Sequence, residues 1–364
     1  MSGTSLDGVD GVLADFSGGR IAVQGHANAE FPAALRAELL ALNAPRGSDE
    51  LHRAALAANG LAQVYAQVVE RLLDDAGLAP DAITAIGAHG QTVRHRPGEF
   101  DGIGYTLQLN NPALLAERTG IDVVADFRSR DVAAGGQGAP LVPAFHQALF
   151  AQENEAVAVL NIGGISNLSL LPARQTGSPI LGFDCGPGNA LMDHWCERHT
   201  GQAFDFGGRW AASGQVLPDL LSRLLAEPFL AKAPPKSTGR DLFNPGWLAD
   251  RLAVSQAAPV DVQATLTEFT AAACAADLQR HGPASRTLVV CGGGALNTCL
   301  MARLSALLPG VAVVSSAERG LPPQQVEAAA FGWLARATLR REPGNLASVT
   351  GARGNRVLGA IYPA

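Results

Sequence analysis

Hydrophobic positions recur at three- and four-residue spacings between Ala33 and Leu78, the spacing of a helix that packs one face on a core. Around this stretch, shorter apolar runs end at glycine-rich turns and predict strands. The predicted strands are Gly11–Phe16, Arg20–Phe31, Ala82–Ala88, Tyr105–Leu109, Ile121–Phe127, Ala156–Ile162, Asn167–Leu171, Ile180–Asp184, Thr287–Val290, Val311–Ser315 and Val357–Tyr362. Further helices are predicted at Asn111–Thr119 and Pro140–Ala151, and helices predominate from Asn189 to Gln279.

The pattern that opens the chain recurs near its middle. In both places a strand, a glycine pair and a second strand follow one another, with Gly18-Gly19 in the first case and Gly163-Gly164 in the second. A chain of 364 residues is also long for a single core. We therefore predict two α/β domains of related plan with a cleft between them, residues 1–150 and 151–344, with the tail 345–364 a candidate to join the first domain.

Composition excludes several classes of protein. Hydrophobic residues make up 47% of the chain, which excludes disorder as its main state. The net charge is −6 and no long basic run occurs, so general binding to nucleic acid or to an anionic membrane is not expected. The sequence contains no uninterrupted run of about 18 apolar residues, so no membrane span is predicted. Five cysteines without a Cys-x-x-Cys pair indicate reduced thiols, and we expect a cytoplasmic protein.

The lysine content narrows the ways in which a nucleotide could be bound. The chain has two lysines, Lys232 and Lys236, and neither follows a glycine. The Gly-Lys-Ser/Thr sequence of a Walker A loop is therefore absent. If the protein binds a nucleoside triphosphate, it does so without a P-loop.

A loop of small and polar residues at the start of the chain is the first candidate phosphate site. Small residues let the backbone approach an anion, hydroxyl groups add donors, and carboxylates suit a hydrated Mg²⁺ ion. An unstructured terminal tip explains the same residues equally well. The candidate residues are Gly3, Thr4, Ser5, Leu6, Asp7, Gly8, Val9 and Asp10.

Two more glycine-rich turns are candidate phosphate or nucleotide sites. Asn161, Gly163 and Gly164 lie in a tight hairpin, which could clamp a phosphate or could be an ordinary turn. Gly292, Gly293 and Gly294 follow a buried strand and precede a predicted helix, with Asn297 just beyond them. That placement would put amide donors at a helix N-terminus, although close packing of helix on strand is the alternative.

Polar side chains after predicted strands are candidates for chemistry. Asp184 ends a strand and could act as a general base, although from the residues alone an N-cap or turn aspartate is favoured. His89 and Gln91 suit sugar hydroxyls, and Arg128 lies in a charged segment that could equally be a surface salt-bridge cluster. The helix from Asp193 to His199 carries ligand-type residues too close together to face one ion, so no protein-held metal site is predicted.

A set of longer motifs resembles one family over nearly the whole chain. In order they are MSGTSLDGVD, HGQT, DFRSRD, GGQGAPLVPAFH, NIGGISNLS, FDCGPGN, PKSTGR and CGGG. The set is similar to the bacterial anhydro-N-acetylmuramic acid kinases. The resemblance implies the actin-like ATPase fold, in which two α/β domains close on ATP. By motif, Gly3–Asp10 matches the first phosphate loop, Asn161–Asn167 the second, and Cys291–Asn297 the adenosine motif.

The resemblance also implies a reaction. Water would open the anhydro bridge of 1,6-anhydro-N-acetylmuramic acid while O6 receives the γ-phosphate, giving N-acetylmuramic acid 6-phosphate and ADP in peptidoglycan recycling. Asp184 matches the family's catalytic base, and ATP would bring Mg²⁺, with Asp7 a candidate to hold it. The expected sugar contacts are His89, Gln91, Arg128 and Glu327, with the arginine suited to the lactyl carboxylate. A homodimer is also expected.

Two other functions remain open. The first is a kinase of a plain anhydrohexose such as levoglucosan, and the second is an ATP-binding regulatory or chaperone-like module without kinase activity. Members of the family usually carry a short apolar strand before the first motif, whereas here the motif opens the sequence. We therefore expect the natural protein to be several residues longer, with a strand beside Gly11–Phe16.

Overall fold

The computed structural model describes residues 1–3, 6–18, 21–44, 47–239, 242–252 and 257–364. The chain divides into two compact units, unit 1 (Met1–Phe145 and Gln325–Ala364) and unit 2 (His146–Gln324). The sequence-based division gave only 345–364 to the first domain, but the structure adds residues 325–344. The reason is packing, because Phe331 and Leu334 share a buried cluster with Val124.

Strands and helices alternate along most of the chain, as an α/β protein requires. The strands are β1 (Gly8–Asp15), β2 (Ala22–Glu30), β3 (Ile86–Gly87), β4 (Gln91–Pro97), β5 (Gly104–Leu109), β6 (Val123–Ala125), β7 (Ala156–Ile162), β8 (Ile165–Leu171), β9 (Leu181–Pro187), β10 (Ser285–Cys291), β11 (Ala312–Ser315) and β12 (Ala360–Tyr362). The α-helices are α1 (Ala33–Leu42), α2 (Glu50–Ala76), α3 (Pro112–Thr119), α4 (Ser129–Ala133), α5 (Val142–Phe150), α6 (Ala190–Thr200), α7 (Arg209–Ala212), α8 (Pro218–Leu225), α9 (Pro245–Leu252), α10 (Pro259–His281), α11 (Thr298–Leu307), α12 (Val326–Leu339) and α13 (Ala347–Thr350). The predicted α/β class is confirmed.

The described residues of unit 1 form three small sheets. Strand β1 pairs antiparallel with β2, strands β12, β6 and β3 form a second sheet in that order, and β4 pairs with β5. Helix α2 packs on β1 and β2 through Leu61, Tyr65, Val68 and Leu72, which recur at helical spacing and are all buried. Within unit 1, a cavity of about 600 Å³ is lined by β1, α2, β3 and α12.

Unit 2 is built on a five-stranded sheet in the order β11-β10-β7-β8-β9. Strand β10 runs parallel to β7, with Cys291 opposite Asn161, whereas β8 runs antiparallel to both β7 and β9. Helix α10 is buried along most of its length beside this sheet, in a core that includes Phe183 and Phe269. Because β7 and β10 are parallel, the turns that follow them emerge at the same edge of the sheet.

Candidate functional site

The first predicted phosphate loop is only partly a loop. Gly8, Val9 and Asp10 belong to β1 instead, because Gly8 faces the main chain of β2 so closely that a Cβ would overlap the Ala29 carbonyl oxygen. Two predicted members of the loop, Thr4 and Ser5, lie outside the described residues.

The described part of this loop is held by packing and hydrogen bonds. Leu6 adopts a left-handed conformation (φ 59°), and its amide donates to the carbonyl of Gly3 at 3.3 Å. Next to Gly3, the Ser2 side chain is buried, and its hydroxyl donates to the carbonyl of Gly90 at 2.9 Å. These contacts are not those of an unstructured tip. The carboxylate of Asp7 is exposed beside them.

His89 and Arg128 contact each other next to this loop. Arg128 Nε donates to His89 Nε2 at 3.0 Å, so Nδ1 carries the imidazole proton and faces the Ser2 carbonyl at 3.3 Å. Burial and the nearby Arg128 charge hold the pKa of His89 well below its usual 6.5. His89 is therefore neutral at physiological pH and acts as a fixed hydrogen-bonding group rather than as a cation.

Arg128 is half-buried and bound to neighbouring groups of unit 1. Its Nη1 donates to the Gly138 carbonyl at 2.7 Å. Burial lowers the pKa of Arg128 to about 10, while the charges of Glu327 and Asp131 oppose that change. Glu327 lies in the first turn of α12, close enough to Arg128 for their charges to interact. The hydrogen bonds of Arg128 go to a histidine and to a main-chain carbonyl rather than to a surface carboxylate.

Gln91 completes the polar group beside the first loop. Its side chain is 1% exposed, and Nε2 donates to the carbonyl of Gly3 at 3.1 Å. Within the described ranges, its Oε1 has no hydrogen-bond partner. A buried acceptor without a donor is costly, so a ligand hydroxyl or a water molecule is expected to satisfy it. The four predicted sugar contacts all lie in unit 1.

In unit 2, the hairpin between β7 and β8 is fixed by the start of α6. The carbonyl of Gly163 accepts from the Asn189 amide at 2.7 Å, and that of Gly164 accepts from Gly188 at 2.9 Å. Asn189 Nδ2 also donates to the carbonyl of Ile162 at 3.2 Å. The turn is thus tied to the segment after β9 rather than being a free surface hairpin.

The third glycine loop lies against this hairpin. Gly292 has φ 77°, and a Cβ there would come within 2.5 Å of Asn161 Oδ1 and 2.6 Å of the Ile162 carbonyl oxygen. A Cβ at Gly294 would overlap the Ile162 side chain. Both glycines are therefore required for the close approach of two turns that emerge at the same edge of the sheet.

We predicted that the loop leads directly into an α-helix, and this is wrong. A 3₁₀ turn, Gly293–Leu296, comes first, and α11 begins at Thr298. Asn297 is the N-cap of α11, because its Oδ1 accepts from the Leu300 amide at 3.0 Å. That bond gives Asn297 a structural role through its Oδ1.

Asp184 lies inside β9 rather than at its end, because the strand continues to Pro187. It is therefore not a helix N-cap, and the interpretation that the residues alone favoured is wrong. Its main-chain amide donates to the carbonyl of Lys236 at 3.0 Å. Its Oδ2 accepts two hydrogen bonds, from Ser237 Oγ and from the Thr238 amide, both at 2.9 Å. No donor from the described parts of the chain reaches Oδ1.

The electrostatic surroundings of Asp184 combine opposing effects. Burial raises the pKa of this carboxyl group above its usual 3.8, whereas the two hydrogen bonds and the Lys236 charge act to lower it. The result is a carboxylate more basic than an exposed aspartate. From the sequence we assigned no catalytic or binding role to Lys236, Ser237 or Thr238, although the PKSTGR motif that contains them was part of the family resemblance.

Comparison with known protein families decides the family. The family model for anhydro-N-acetylmuramic acid kinase matches residues 1–364. A protein from Variovorax paradoxus (strain S110) with that name is 74% identical over 367 residues, covering 100% of this chain and 98% of its own. The chain belongs to the anhydro-N-acetylmuramic acid kinase family. A second family member with the same name, from Albidiferax ferrireducens, is 63% identical and covers 100% of this chain and 98% of its own.

Solved structures give more remote likenesses to this anhydro-N-acetylmuramic acid kinase family member. The activator of 2-hydroxyisocaproyl-CoA dehydratase from Clostridium difficile, with bound ADPNP, is 12% identical (TM-score 0.42; 92% of this chain, 97% of that one). A glucokinase of the ROK family from Streptomyces griseus, in complex with glucose and AMPPNP, is 13% identical (TM-score 0.38; 90% and 99%). The family assignment rests on the sequence comparisons instead.

Two features are absent from the described ranges of this family member. No group of three or more histidine, cysteine, aspartate or glutamate side chains is arranged there to hold a metal ion. None of the helices in those ranges combines the length and the apolar character needed to cross a membrane.

Proposed function

We propose that the chain phosphorylates O6 of 1,6-anhydro-N-acetylmuramic acid with ATP while water opens the anhydro bridge, giving N-acetylmuramic acid 6-phosphate and ADP. The full-length family match, with a relative of that name at 74% identity, carries this proposal. The geometry around Asp184 supports the chemistry that the reaction needs. The product places the enzyme in cell-wall recycling and amino-sugar metabolism.

Asp184 is the base in this proposal. Its Oδ1 takes a proton from water, the water oxygen forms a bond to C1, and the C1–O6 bond breaks. O6 then forms a bond to the γ-phosphorus, and ADP leaves with the electrons of the bond between phosphorus and the bridging oxygen. One base and a correctly placed ATP therefore suffice, because the departing oxygen is also the phosphate acceptor.

ATP is held without a phosphate-binding lysine. Lys236 is buried in an ion pair with Asp277, and no P-loop is present. We infer that main-chain amides of the loop before β1, Gly3–Asp7, and of the Gly163-Gly164 turn bind the phosphates, with Gly292–Gly294 and Asn297 beside the adenosine; Gly8, Val9 and Asp10 belong to β1, and the Asp10 amide already donates to the Met1 carbonyl. The exposed carboxylate of Asp7 fits the oxygen preference of a hydrated Mg²⁺ ion, which would neutralise phosphate charge.

The sugar contacts follow from which atoms are already engaged. Gln91 Oε1 is a buried acceptor that suits a sugar hydroxyl. Nε and Nη1 of Arg128 are bound to His89 and Gly138, so Nη2 is the atom we assign to the lactyl carboxylate. Glu327 interacts with the charge of Arg128 and would limit its affinity for other anions.

We infer the cellular setting from composition and family. The reduced cysteines and the substrate suit a cytoplasmic enzyme, and a homodimer is the proposed assembly. The substrate is a small molecule, with no nucleic acid or membrane as partner. Units 1 and 2 would be the two halves of an actin-like ATPase, with the first phosphate loop in one and the second in the other.

The deciding experiment is ATP turnover measured with and without the anhydro sugar. We expect turnover to depend on 1,6-anhydro-N-acetylmuramic acid and to be much slower with levoglucosan, which lacks the lactyl and acetamido groups. Equal turnover with both sugars would favour a general anhydrohexose kinase, and turnover without sugar would favour a non-kinase ATP-binding module. With oxygen-labelled water, the label should appear at C1 and not on phosphate.

Asp184→Asn tests the base. The substitution keeps the volume and hydrogen-bonding oxygen but cannot take up the proton, so ATP binding should persist while turnover is nearly lost. Asp205→Asn is a matched control, because Asp205 is another unit 2 carboxylate that accepts two amide hydrogen bonds, from Trp210 and Ala211. Retention of most of kcat by Asp184→Asn would remove Asp184 from this role.

A further inference from the structure

Lys236, whose main chain contacts Asp184, forms a buried ion pair with Asp277. The side chains of Lys236 and Asp277 are 1% and 3% exposed, and Lys236 Nζ lies 2.8 Å and 3.0 Å from the two carboxylate oxygens. The ammonium group also lies over the rings of Phe229 and Phe183, at 5.2 Å and 5.8 Å from their centroids. Such pairs add little to stability, because desolvation offsets their attraction and apolar residues often replace them without loss. The position of this pair therefore calls for another explanation.

The main chain of Lys236 connects the pair to Asp184. Its carbonyl accepts from the Asp184 amide, and the next two residues, Ser237 and Thr238, supply both donors to Asp184 Oδ2. Ser237 is exposed, and Thr238 is only partly buried. Lys236 is thus the buried anchor of a three-residue segment, 236–238, that holds one oxygen of the carboxylate, while no donor from the described residues reaches the other oxygen.

We propose that Lys236 is a positioning residue for Asp184. By pairing with Asp277, it fixes segment 236–238 so that Oδ2 stays bound and Oδ1 faces the attacking water. This inference rests on the base role proposed above for Asp184. It predicts an effect on kcat rather than on substrate affinity, because neither Lys236 nor Asp277 is assigned a contact with ATP or sugar.

From the charges around the Asp184 carboxyl group, we expect its pKa to change as well when Lys236 is replaced. The Lys236 charge lowers the pKa of Asp184, and Asp277 faces Lys236 from α10. Near the end of α10, His281 Nε2 lies 3.9 Å from Asp277, and Arg280 Nη1 donates to the Leu230 carbonyl at 3.4 Å. Burial lowers the pKa of His281, so it carries little charge at neutral pH. Lys236 is therefore the cation whose removal should raise the pKa of Asp184.

The test is the double variant Lys236→Met/Asp277→Asn, which neutralises both partners at similar volume. We expect a folded protein whose kcat falls at least about tenfold, with KM for ATP and for the sugar within about twofold of the parent. The acid limb of the pH profile of kcat/KM should move to higher pH. Lys232→Met is the matched control, because Lys232 is exposed, lies four residues earlier, and should leave both quantities unchanged.

A folded double variant with kcat within about twofold of the parent and an unmoved acid limb would overturn the proposal. Asp184→Asn separates this result from failure of the proposed function. If Asp184→Asn is inactive while the double variant is active, only positioning by Lys236 is refuted, whereas an active Asp184→Asn refutes the base itself.

A second variant decides the outcome if the double variant does not fold. Ser237→Ala removes one of the two donors to Oδ2 and changes only an exposed side chain. We expect a smaller loss of kcat in the same direction, with the same displacement of the acid limb. An unchanged kcat and pH profile would show that segment 236–238 does not act on Asp184.

Discussion

In a protein made to begin at Met1, the terminal amine forms a hydrogen bond that a peptide amide could form without a charge. Its nitrogen donates to the carbonyl of Asp10 at 2.7 Å, and the Asp10 amide donates to the Met1 carbonyl at 2.9 Å. Met1 and Asp10 thus exchange both main-chain hydrogen bonds, as opposed residues do in an antiparallel ladder. Burial lowers the pKa of this amine from 8.0 to about 5, against the opposing charges of Asp10 and Glu327. We predict that a short apolar extension before Met1 stabilises the protein, most strongly at acidic pH.

The size of the effect follows from proton linkage. Between pH 5 and pH 8 the unfolded chain binds a proton at this amine that the folded chain does not, so stability rises with pH across that window. An extension converts the amine to an amide, which keeps the hydrogen bond to Asp10 and removes the penalty. The free energy of unfolding rises by at most about 2.7 kcal/mol at pH 6, about 1.4 kcal/mol at pH 7 and about 0.4 kcal/mol at pH 8. The actual gain is smaller, because Met1 is partly exposed and solvent screens its charge.

The assay is urea unfolding from pH 6 to pH 9 of two proteins, one beginning at Met1 and one carrying four extra apolar residues, both verified by intact mass. Packing of the extension in the cavity between β1 and β3 would add stability that does not vary with pH. A third protein, acetylated at the Met1 amine, isolates the charge effect from that packing. A stability difference that stays constant from pH 6 to pH 9 would refute a buried, deprotonated amine.

Three further predictions concern the glycine loop, the base and a buried carboxylate. Gly292→Ala should raise KM for ATP at least about tenfold, whereas Gly177→Ala, also at positive φ but with open space around it, should not; similar KM values would contradict the close approach. The acid limb of kcat/KM should have its midpoint above 3.8, because burial raises the pKa of Asp184, and a midpoint at or below that value would contradict the assignment. Asp131→Asn should lower the free energy of unfolding by about 2–3 kcal/mol in urea titrations, because this buried carboxylate accepts from the Gly138 amide and the Thr350 hydroxyl; an unchanged midpoint would show that the amide satisfies both donors.

A local sequence pattern was sufficient to predict an element when one buried face or one apolar run sets its type. The apolar run Ala156–Ile162 is strand β7 with the predicted bounds. Of the hydrophobic positions whose spacing predicted a helix, Val64, Val68 and Leu72 are buried on α2, whereas Leu51 and Leu56 are exposed. Strand β4 was missed because its residues, Gln91–Pro97, are mostly polar or charged and carry no clear alternation. Among the described residues β4 pairs with β5 alone, and two of its charged or polar side chains, His95 and Arg96, are exposed.

The surroundings of a side chain could not be predicted in the same way. The sequence identified Asp184 as a candidate but placed it at a strand end, where an N-cap was the favoured explanation. Its two donors come from Ser237 and Thr238, more than fifty positions later in the chain. Likewise, α12 joins unit 1 through contacts with β1 and β3 from the other end of the sequence. Such long-range pairings follow from the fold as a whole and leave no local periodicity.

The asymmetry of the Asp184 carboxylate connects the fold to the proposed chemistry. A general base must be ionised before the reaction and still bind a proton during it, so a fully solvated aspartate is too weak and an isolated buried one is too readily protonated. Burial in β9 supplies basicity, and the donors from segment 236–238 restore ionisation through Oδ2 alone. A donor on each oxygen would lower the pKa in the same way but would block the water. Among the described residues both donors reach one oxygen, which keeps the charge, fixes the plane of the carboxylate and leaves Oδ1 for the proton transfer in the proposed reaction.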